Sequence, residues 1–169
     1  MVGYAGSGKS SMGKRLARML GVRYVDTDRL IEESVGASVA DIFYYEGEEY
    51  FRRSEREVIE RLVDERFEGV VATGGGLAAW GDNMERMNEV GETIYLRRTP
   101  EQIMSRLSDY GREKRPMFRG KSDEELIVFM REQMAEREKY YAQADITVEC
   151  TALSDDDVVE RVVNELNNR

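Results

Sequence analysis

The hydrophobic and polar positions divide the chain into short apolar runs and longer segments of helical periodicity. Four apolar runs have the length of strands, at residues 22–25, 70–73, 93–96 and 146–148. Strands that alternate with helices favour a parallel sheet with helices on both faces. We therefore predict an α/β fold of three layers, α/β/α, around a five-stranded parallel sheet, in which the fifth strand precedes residue 3.

Capping residues mark the ends of the predicted helices. The first helix covers residues 9–20 and ends at Gly21, a residue type that favours the left-handed conformation of a helix C-terminus. Thr99 and Ser122 each begin a capping box, with Gln102 and Glu125 three residues later. Ser154 caps the last helix, whose valines and leucine form one apolar stripe.

Two segments interrupt the alternation of strands and helices. Residues 27–66 have helical patterns without a strand, and residues 108–121 are basic, contain glycine and are weakly periodic. Within a single domain over residues 1–169, we expect the first to be a helical substrate-binding insert and the second a closing lid. A surface helical hairpin and an ordinary loop are the alternatives.

Composition restricts the class of protein. The chain has 169 residues, of which 41% are hydrophobic and 35% charged, with a net charge of -9. This charge argues against a nucleic-acid or membrane-surface binder, which needs excess Lys and Arg. The lone Cys150 excludes an internal disulfide and suits a reducing compartment, so we expect a cytoplasmic protein. Because histidine is absent, a catalytic base has to be another residue type, such as a carboxylate.

The strongest motif lies at the start of the chain. Residues 3–10, Gly-Tyr-Ala-Gly-Ser-Gly-Lys-Ser, match G-x-x-x-x-G-K-[ST] without a mismatch. In this motif backbone N–H groups bind phosphates, the lysine contacts the β- and γ-phosphates, and the hydroxyl of the last residue binds Mg²⁺. We predict a sheet of the P-loop NTPase type and nucleotide contacts from Gly6, Ser7, Gly8, Lys9, Ser10 and Ser11. The motif indicates a nucleoside triphosphate and leaves the phosphate acceptor open.

The position of this loop has a consequence for the sheet. A phosphate loop follows a central strand, and strands are typically about five residues long. Here only Met1 and Val2 precede Gly3. We therefore expect a shortened first strand, and we expect that residues are missing from the start of the chain.

Four further stretches are candidates for the acceptor site, although each has a plain structural alternative. Asp26-Thr27-Asp28 follows a strand and would face the ligand crevice, or Asp28 would cap the next helix. Arg52 and Arg137 lie in charged helical runs that would otherwise be solvent-exposed faces. The three glycines at 74–76 end a buried strand and would either press a ligand onto backbone N–H groups or form a turn.

Taken together and in this order, these stretches resemble the shikimate kinase family, small P-loop kinases of the nucleoside-monophosphate-kinase type. The resemblance covers nearly the whole chain. Its motifs are the phosphate loop, D-T-D at 26–28, F-R-x-x-E at 51–55, T-G-G-G at 73–76, R-P at 115–116 and R-x-x-x-Y at 137–141. It implies transfer of the ATP γ-phosphoryl group to the 3-hydroxyl of shikimate, with Mg²⁺ as cofactor.

The resemblance also implies roles for individual residues. Asp28 would bind shikimate hydroxyls and act as, or orient, the base. Arg52 and Arg137 would bind the substrate carboxylate, and Arg115 in the lid would reach the transferred phosphoryl group. The remaining assignments are Asp26 near Mg²⁺ through water, Gly74, Gly75 and Gly76 at the ring hydroxyls, and Arg106 near the adenine.

The chain departs from the family pattern around the lid and the nucleotide base. The lid reads Arg115-Pro116-Met117-Phe118 where the family commonly has two leucines, and the spacing from Arg106 to Arg115 is longer. After the last strand, Ala152 offers no side-chain hydrogen bond to adenine. We therefore expect base contacts that are mostly apolar and main-chain.

Two other functions remain open at this stage. One is a related small-molecule kinase, such as a gluconate or nucleotide kinase, and the other is a nucleotide-binding regulator without kinase activity. The paired arginines and the three glycines suit a small hydroxylated carboxylate better than a nucleobase. We expect a monomer whose partners are shikimate and ATP, without nucleic acid or membrane.

Overall fold

The computed structural model describes residues 1–169 and contains four strands and nine α-helices. The strands are β1 (Arg23–Asp26), β2 (Gly69–Ala72), β3 (Ile94–Arg97) and β4 (Ile146–Glu149). The helices are α1 (Lys9–Leu20), α2 (Thr27–Val35), α3 (Val39–Tyr45), α4 (Gly47–Asp64), α5 (Asn83–Val90), α6 (Pro100–Met104), α7 (Asp109–Glu113), α8 (Asp123–Tyr141) and α9 (Asp155–Asn167). Short 3₁₀ turns cover Leu77–Ala79 and Pro116–Phe118.

Two pairs of parallel strands are joined by the first two residues of the chain. β1 pairs with β2, and β3 pairs with β4. Between them, the Val2 N–H donates to the Ile94 carbonyl (2.8 Å), and the Thr73 N–H donates to the Met1 carbonyl (3.1 Å). The order across the sheet is therefore β1, β2, residues 1–2, β3, β4, with Val2 as a single parallel bridge in the central position. The predicted shortened first strand is observed.

Helices cover both faces of this sheet, as predicted. Alternate residues of a strand point to opposite faces. Leu96 packs with α1 and α9 through residues such as Leu16 and Val158. Its neighbour Tyr95 packs on the other face with residues from α4, α5 and α8, including Ile59 and Tyr141. From the central position, the chain forms β1 and β2 on one side of residues 1–2 and β3 and β4 on the other side. In open α/β sheets ligands bind where the strand order changes direction in this way, at the carboxyl ends of the central strands.

The two predicted inserts have defined structures. Residues 27–66 form α2, α3 and α4 without a strand, and a separate apolar cluster around Ile31, Ile42 and Phe51 holds them together. Residues 108–121 form α7 and the 3₁₀ turn Pro116–Phe118. Phe118 is fully buried in a cluster with Tyr4 and Leu126, so this segment is anchored to the core at one point. No helix of the chain combines the length and apolar character that crossing a membrane requires.

Candidate active site

The phosphate loop has the backbone conformation that its glycines allow. Gly3, Gly6 and Gly8 have φ angles of 136°, 85° and 98°, which lie in the region that side chains disfavour. A Cβ at Gly3 would also lie 2.9 Å from the Leu96 carbonyl oxygen. The loop leads directly into α1, whose first N–H groups have no partner within the helix. Loop and helix start together form a site for an anion such as a phosphate.

Lys9 is buried beneath this loop. Its ammonium donates to the carbonyls of Gly3 (2.7 Å) and Tyr4 (2.8 Å), and the residue is 6% exposed. Burial lowers the pKa of Lys9 to about 8, and the nearby Asp28 opposes this shift. An ammonium has three donors, so one N–H of Lys9 remains for a phosphate.

Asp26 organises the junction between the phosphate loop and the acceptor side. Its carboxylate accepts hydrogen bonds from the hydroxyls of Ser10 (2.6 Å) and Tyr24 (3.2 Å) and from the Asp28 N–H (3.2 Å). Asp26 is therefore the N-cap of α2, and the alternative that Asp28 caps this helix is wrong. The Asp28 side chain is left available for a ligand.

Asp28 points into a crowded, partly buried environment. Its Oδ1 atom is buried and has no hydrogen-bond partner. Burial raises the pKa of Asp28 to about 6, the Asp26 carboxylate adds to the increase, and Lys9 opposes it. A Cβ at Gly74 would lie 2.5 Å from both Asp28 Oδ1 and Glu55 Oε1, so only glycine fits between these carboxyl groups.

Arg52 is buried and held by acidic residues on its own helix. Its guanidinium bonds Glu55 Oε2 at 2.6 Å and Glu48 Oε1 at 3.0 Å. Burial raises the pKa of Glu55 to about 7, although the Arg52 charge opposes the shift. The guanidinium also lies where a Cβ at Gly76 would stand, so the glycine admits the arginine to the site.

Arg137 approaches the same glycines from α8. It donates to Gln133 Oε1 (2.8 Å) and lies 3.4 Å from the Gly75 carbonyl, to which the Tyr141 hydroxyl also donates. A Cβ at Gly75 would lie 2.7 Å from the Ala5 nitrogen of the phosphate loop. The triple-glycine segment therefore lies directly between the phosphate loop and the arginines.

A single cavity of about 960 Å³ brings most of the predicted residues together. Its walls include Ser10, Asp26, Asp28, Arg52, Gly74, Gly75, Gly76, Arg115 and Arg137. The lid residue Arg115 donates to the Gly111 carbonyl, and its guanidinium lies 5.9 Å from the Phe118 ring centroid. Arg115 thus lies at the cavity wall, close to the buried Phe118 ring.

Six predicted ATP contacts lie outside these walls: Gly6, Ser7, Gly8, Lys9, Ser11 and Arg106. Lys9 lies under the loop, and Ser11 is exposed on the first turn of α1. Arg106 lies behind the loop, where its guanidinium bonds Asp155 at 2.8 Å. The structure thus places Arg106 beside the phosphate loop rather than in the acceptor cavity.

Several residues around the site have contacts that the sequence interpretation did not assign. Glu55 lies one helical turn after Arg52, and Gln133 lies one turn before Arg137. Helical spacing could have suggested both pairs. The contact between Tyr24 and Asp26 could not be read from helical spacing. It requires space for the tyrosine ring at Gly13, where a Cβ would lie 2.8 Å from the ring.

The fold and the site together define a P-loop kinase that phosphorylates a small molecule. The family model described as shikimate kinase matches residues 5–167 of this chain. Shikimate kinase of Parabacteroides distasonis is 37% identical over 167 residues, which cover 98% of this chain and 95% of the relative. That of Persephonella marina is 39% identical over 166 residues, covering 98% and 96%. The chain therefore belongs to the shikimate kinase family.

Solved structures agree with this assignment. The crystal structure of shikimate kinase from Bacteroides thetaiotaomicron has a TM-score of 0.89 and 34% identity, and the match covers 98% of this chain and 96% of that one. Shikimate kinase from Acinetobacter baumannii, in complex with shikimate, has a TM-score of 0.86 and 28% identity, with coverage of 99% and 90%. The predictions of the family and of the P-loop fold are confirmed.

Proposed function

We propose that this chain transfers the γ-phosphoryl group of ATP to the 3-hydroxyl of shikimate, giving shikimate 3-phosphate and ADP. Membership of the family supports ATP-dependent phosphorylation of shikimate in the shikimate pathway. One observation supports the site in particular. Asp28, Arg52, Arg137 and the glycines 74–76 converge on one cavity beside the phosphate loop, although they come from four separate parts of the chain.

Two arginines bind the carboxylate of the acceptor. Guanidinium groups match carboxylates in a bidentate geometry, and two of them select an anion despite the negative charge of the whole chain. Arg52 is held by Glu48 and Glu55, and Arg137 is held by Gln133. Each guanidinium is therefore oriented before the acceptor arrives, which reduces the entropy lost on binding.

Asp28 accepts the proton of the reacting hydroxyl, or orients that hydroxyl for attack. Its buried Oδ1 has no partner within the protein, so a ligand hydroxyl can satisfy it. The Gly74 N–H donates to the Thr27 hydroxyl (2.9 Å), so the N–H groups of Gly75 and Gly76 are the ones suited to the other ring hydroxyls. Gly74 admits the carboxylate to this position because a side chain would clash with it.

Lys9 and Arg115 neutralise charge on the transferred phosphoryl group, which is most of what phosphoryl transfer requires. Ser10 and Asp26 offer a hydroxyl and a carboxylate 2.6 Å apart. This donor set fits Mg²⁺, which is commonly bound by few protein oxygens together with waters and substrate phosphates. Ser10 would hold the ion directly and Asp26 through water, and the ion would supply further charge neutralisation.

The cellular setting and the assembly are part of the same proposal. The single cysteine, Cys150, is buried and cannot form a disulfide within the chain, which suits a reducing compartment. We assign the chain to the cytoplasm as a monomer that binds shikimate and ATP. Gel filtration with light scattering checks the monomer.

An acceptor panel tests the proposed reaction. ADP release is measured with shikimate, with gluconate, with a nucleoside monophosphate and without acceptor. We expect stimulation by shikimate far above the other three. Release that is no faster with shikimate than without acceptor would contradict the proposal, and stimulation by another acceptor would identify a related kinase.

A further inference from the structure

A second group of charged residues lies behind the phosphate loop, outside the acceptor cavity. Arg98 follows β3, Arg106 follows α6, and Asp155 is the first residue of α9. The Arg98 side chain is only 4% exposed, and that of Asp155 is 17% exposed. A buried guanidinium is unfavourable without an anionic partner, so Asp155 is the residue that makes burial of Arg98 possible.

Arg98 contacts the phosphate loop itself. Its Nε donates to the Ser7 carbonyl at 3.0 Å, across more than ninety positions of the chain. In a trans peptide the carbonyl and the following N–H point in opposite directions. Arg98 therefore holds the Ser7 carbonyl outward, and the same peptide plane turns the Gly8 N–H toward the inside of the loop, where phosphates bind.

Asp155 connects the two arginines. It accepts a hydrogen bond from Arg106 at 2.8 Å, and its other oxygen lies 3.5 Å from Arg98 Nη2. Arg106 in turn lies against the loop, because a Cβ at Gly8 would stand 3.8 Å from its Nη2 atom. One carboxylate thus fixes the positions of two guanidinium groups on the outer side of the phosphate loop.

The charges of the group favour an anionic ligand. Two arginines face one aspartate, which leaves one positive charge beside the loop. Arg98 Nη2 is buried without a hydrogen bond, and its distance to Asp155 is that of an ion pair only. Electrostatic attraction and loop geometry therefore act in the same direction, toward binding of phosphates.

We propose that Arg98 and Asp155 are positioning residues for ATP, which hold the Ser7–Gly8 peptide and Arg106 in the arrangement that the nucleotide requires. The inference rests on the proposed function only in taking ATP as the ligand of the loop. A lysine at position 98 does not replace the arginine, because an ammonium lacks the planar fork that contacts a carbonyl and a carboxylate together.

Titration with ADP in the absence of shikimate tests this proposal. The variants are Arg98→Lys and Asp155→Asn, and Asp156→Asn is the matched control, since Asp156 is the next residue of α9, is 79% exposed and pairs with Arg15. We expect the Kd for ADP to rise about 10-fold in the first two variants, the effect of losing one charged hydrogen bond. The control should stay within about 2-fold.

Kinetics separate positioning from general stability. We expect the KM for ATP to rise with the Kd for ADP, whereas the KM for shikimate stays within about 2-fold, and we expect Asp155→Glu to recover part of the ADP affinity. ADP affinity equal to that of the unsubstituted chain would overturn the proposal, as would equal losses for ADP and shikimate. If shikimate gives no turnover, the proposed function fails while the ADP titration still decides this inference.

Discussion

The two halves of the active site are built in opposite ways. The phosphate side consists of consecutive residues, 3–10, and uses mainly backbone N–H groups and a helix N-terminus. The acceptor side uses side chains from α2, α4 and α8 together with the glycines after β2. The phosphate loop itself is one continuous segment, although distant residues such as Arg98 support it, whereas the acceptor side has no continuous segment and exists only when the whole domain is folded.

This difference explains what each half reveals about function. All residues of a local motif lie in one stretch of sequence, so residues 3–10 by themselves indicate binding of a nucleoside triphosphate. The acceptor residues have meaning only as a set, because a buried arginine or a triple glycine serves many purposes. The proposal for the acceptor therefore depends on the fact that these residues line one cavity beside the phosphate loop.

The two halves also hold their charged groups differently. Lys9 is fixed by carbonyls of its own loop. Arg52 and Arg137 are fixed by side chains on their own helices, one turn away. If the halves act separately, changes in one should alter either nucleotide or acceptor parameters but not both. The following predictions test this separation.

The largest effect is expected on the acceptor side, from Asp28→Asn. Asparagine keeps the shape but cannot accept the proton, and loss of a general base lowers kcat by roughly 10² to 10⁴. Because Asp28 does not contact the phosphate loop through a hydrogen bond, the Kd for ADP should change by less than about 2-fold. A large loss of ADP affinity would instead place Asp28 in the metal site.

The corresponding change on the phosphate side is Lys9→Met. Methionine keeps much of the length but removes the charge, so we expect kcat/KM for ATP to fall by about 10² to 10³. Shikimate binding, measured by titration without nucleotide, should remain within about 2-fold. Arg18→Met, on the same helix with an exposed side chain outside the cavity walls, is the control and should have little effect. Loss of shikimate binding with Lys9→Met would show that the halves are not separable.

A smaller effect is expected from Arg137→Lys. The lysine retains the charge but not the bidentate geometry, so the KM for shikimate should rise about 10-fold. The KM for ATP should not change. Arg131→Lys is a matched control on the same helix, because Arg131 is exposed and pairs with Glu101. Equal increases in both KM values would contradict a role confined to the acceptor carboxylate.

Local features of the structure can be predicted from the sequence, whereas features that depend on distant residues cannot. The bounds of α1 and the three capping residues were predicted correctly, because helix starts and stops depend on neighbouring residues. The sequence allows Asp28 either to cap α2 or to bind a ligand, and the structure assigns the cap to Asp26. Both carboxylates fit the local pattern, so only their packing distinguishes them.

Contacts between residues that are distant in the chain cannot be predicted from local sequence patterns. Nothing near Arg98 or Asp155 in the chain indicates that they meet at the phosphate loop, since their partners lie far away along the chain. The same holds for Gly13, which leaves room for the Tyr24 ring against α1. The family resemblance suggests a set of acceptor residues because it treats such distant positions together.

The smallest expected effect concerns the pH dependence of stability and again separates two carboxylates. Burial raises the pKa of Glu55 to about 7 from its ordinary value of 4.5. A carboxyl whose pKa is higher in the folded state contributes stability that is fully present below 4.5 and is lost as the pH rises through about 7.

Glu55→Gln should remove this contribution, because glutamine does not titrate and can still accept a bond from Arg52. We expect the free energy of unfolding of the ligand-free variant to fall less between pH 5 and pH 8 than that of the unsubstituted chain, by on the order of 1 to 2 kcal/mol. Urea unfolding at both pH values measures this difference. Glu48→Gln, which changes the exposed partner of the same arginine, should leave the pH dependence unaltered. Identical pH dependence in the Glu55 variant and the unsubstituted chain would mean that the Arg52 charge keeps Glu55 ionised at both pH values. The acceptor side would then keep this buried group charged, as the phosphate loop keeps the buried Lys9 charged.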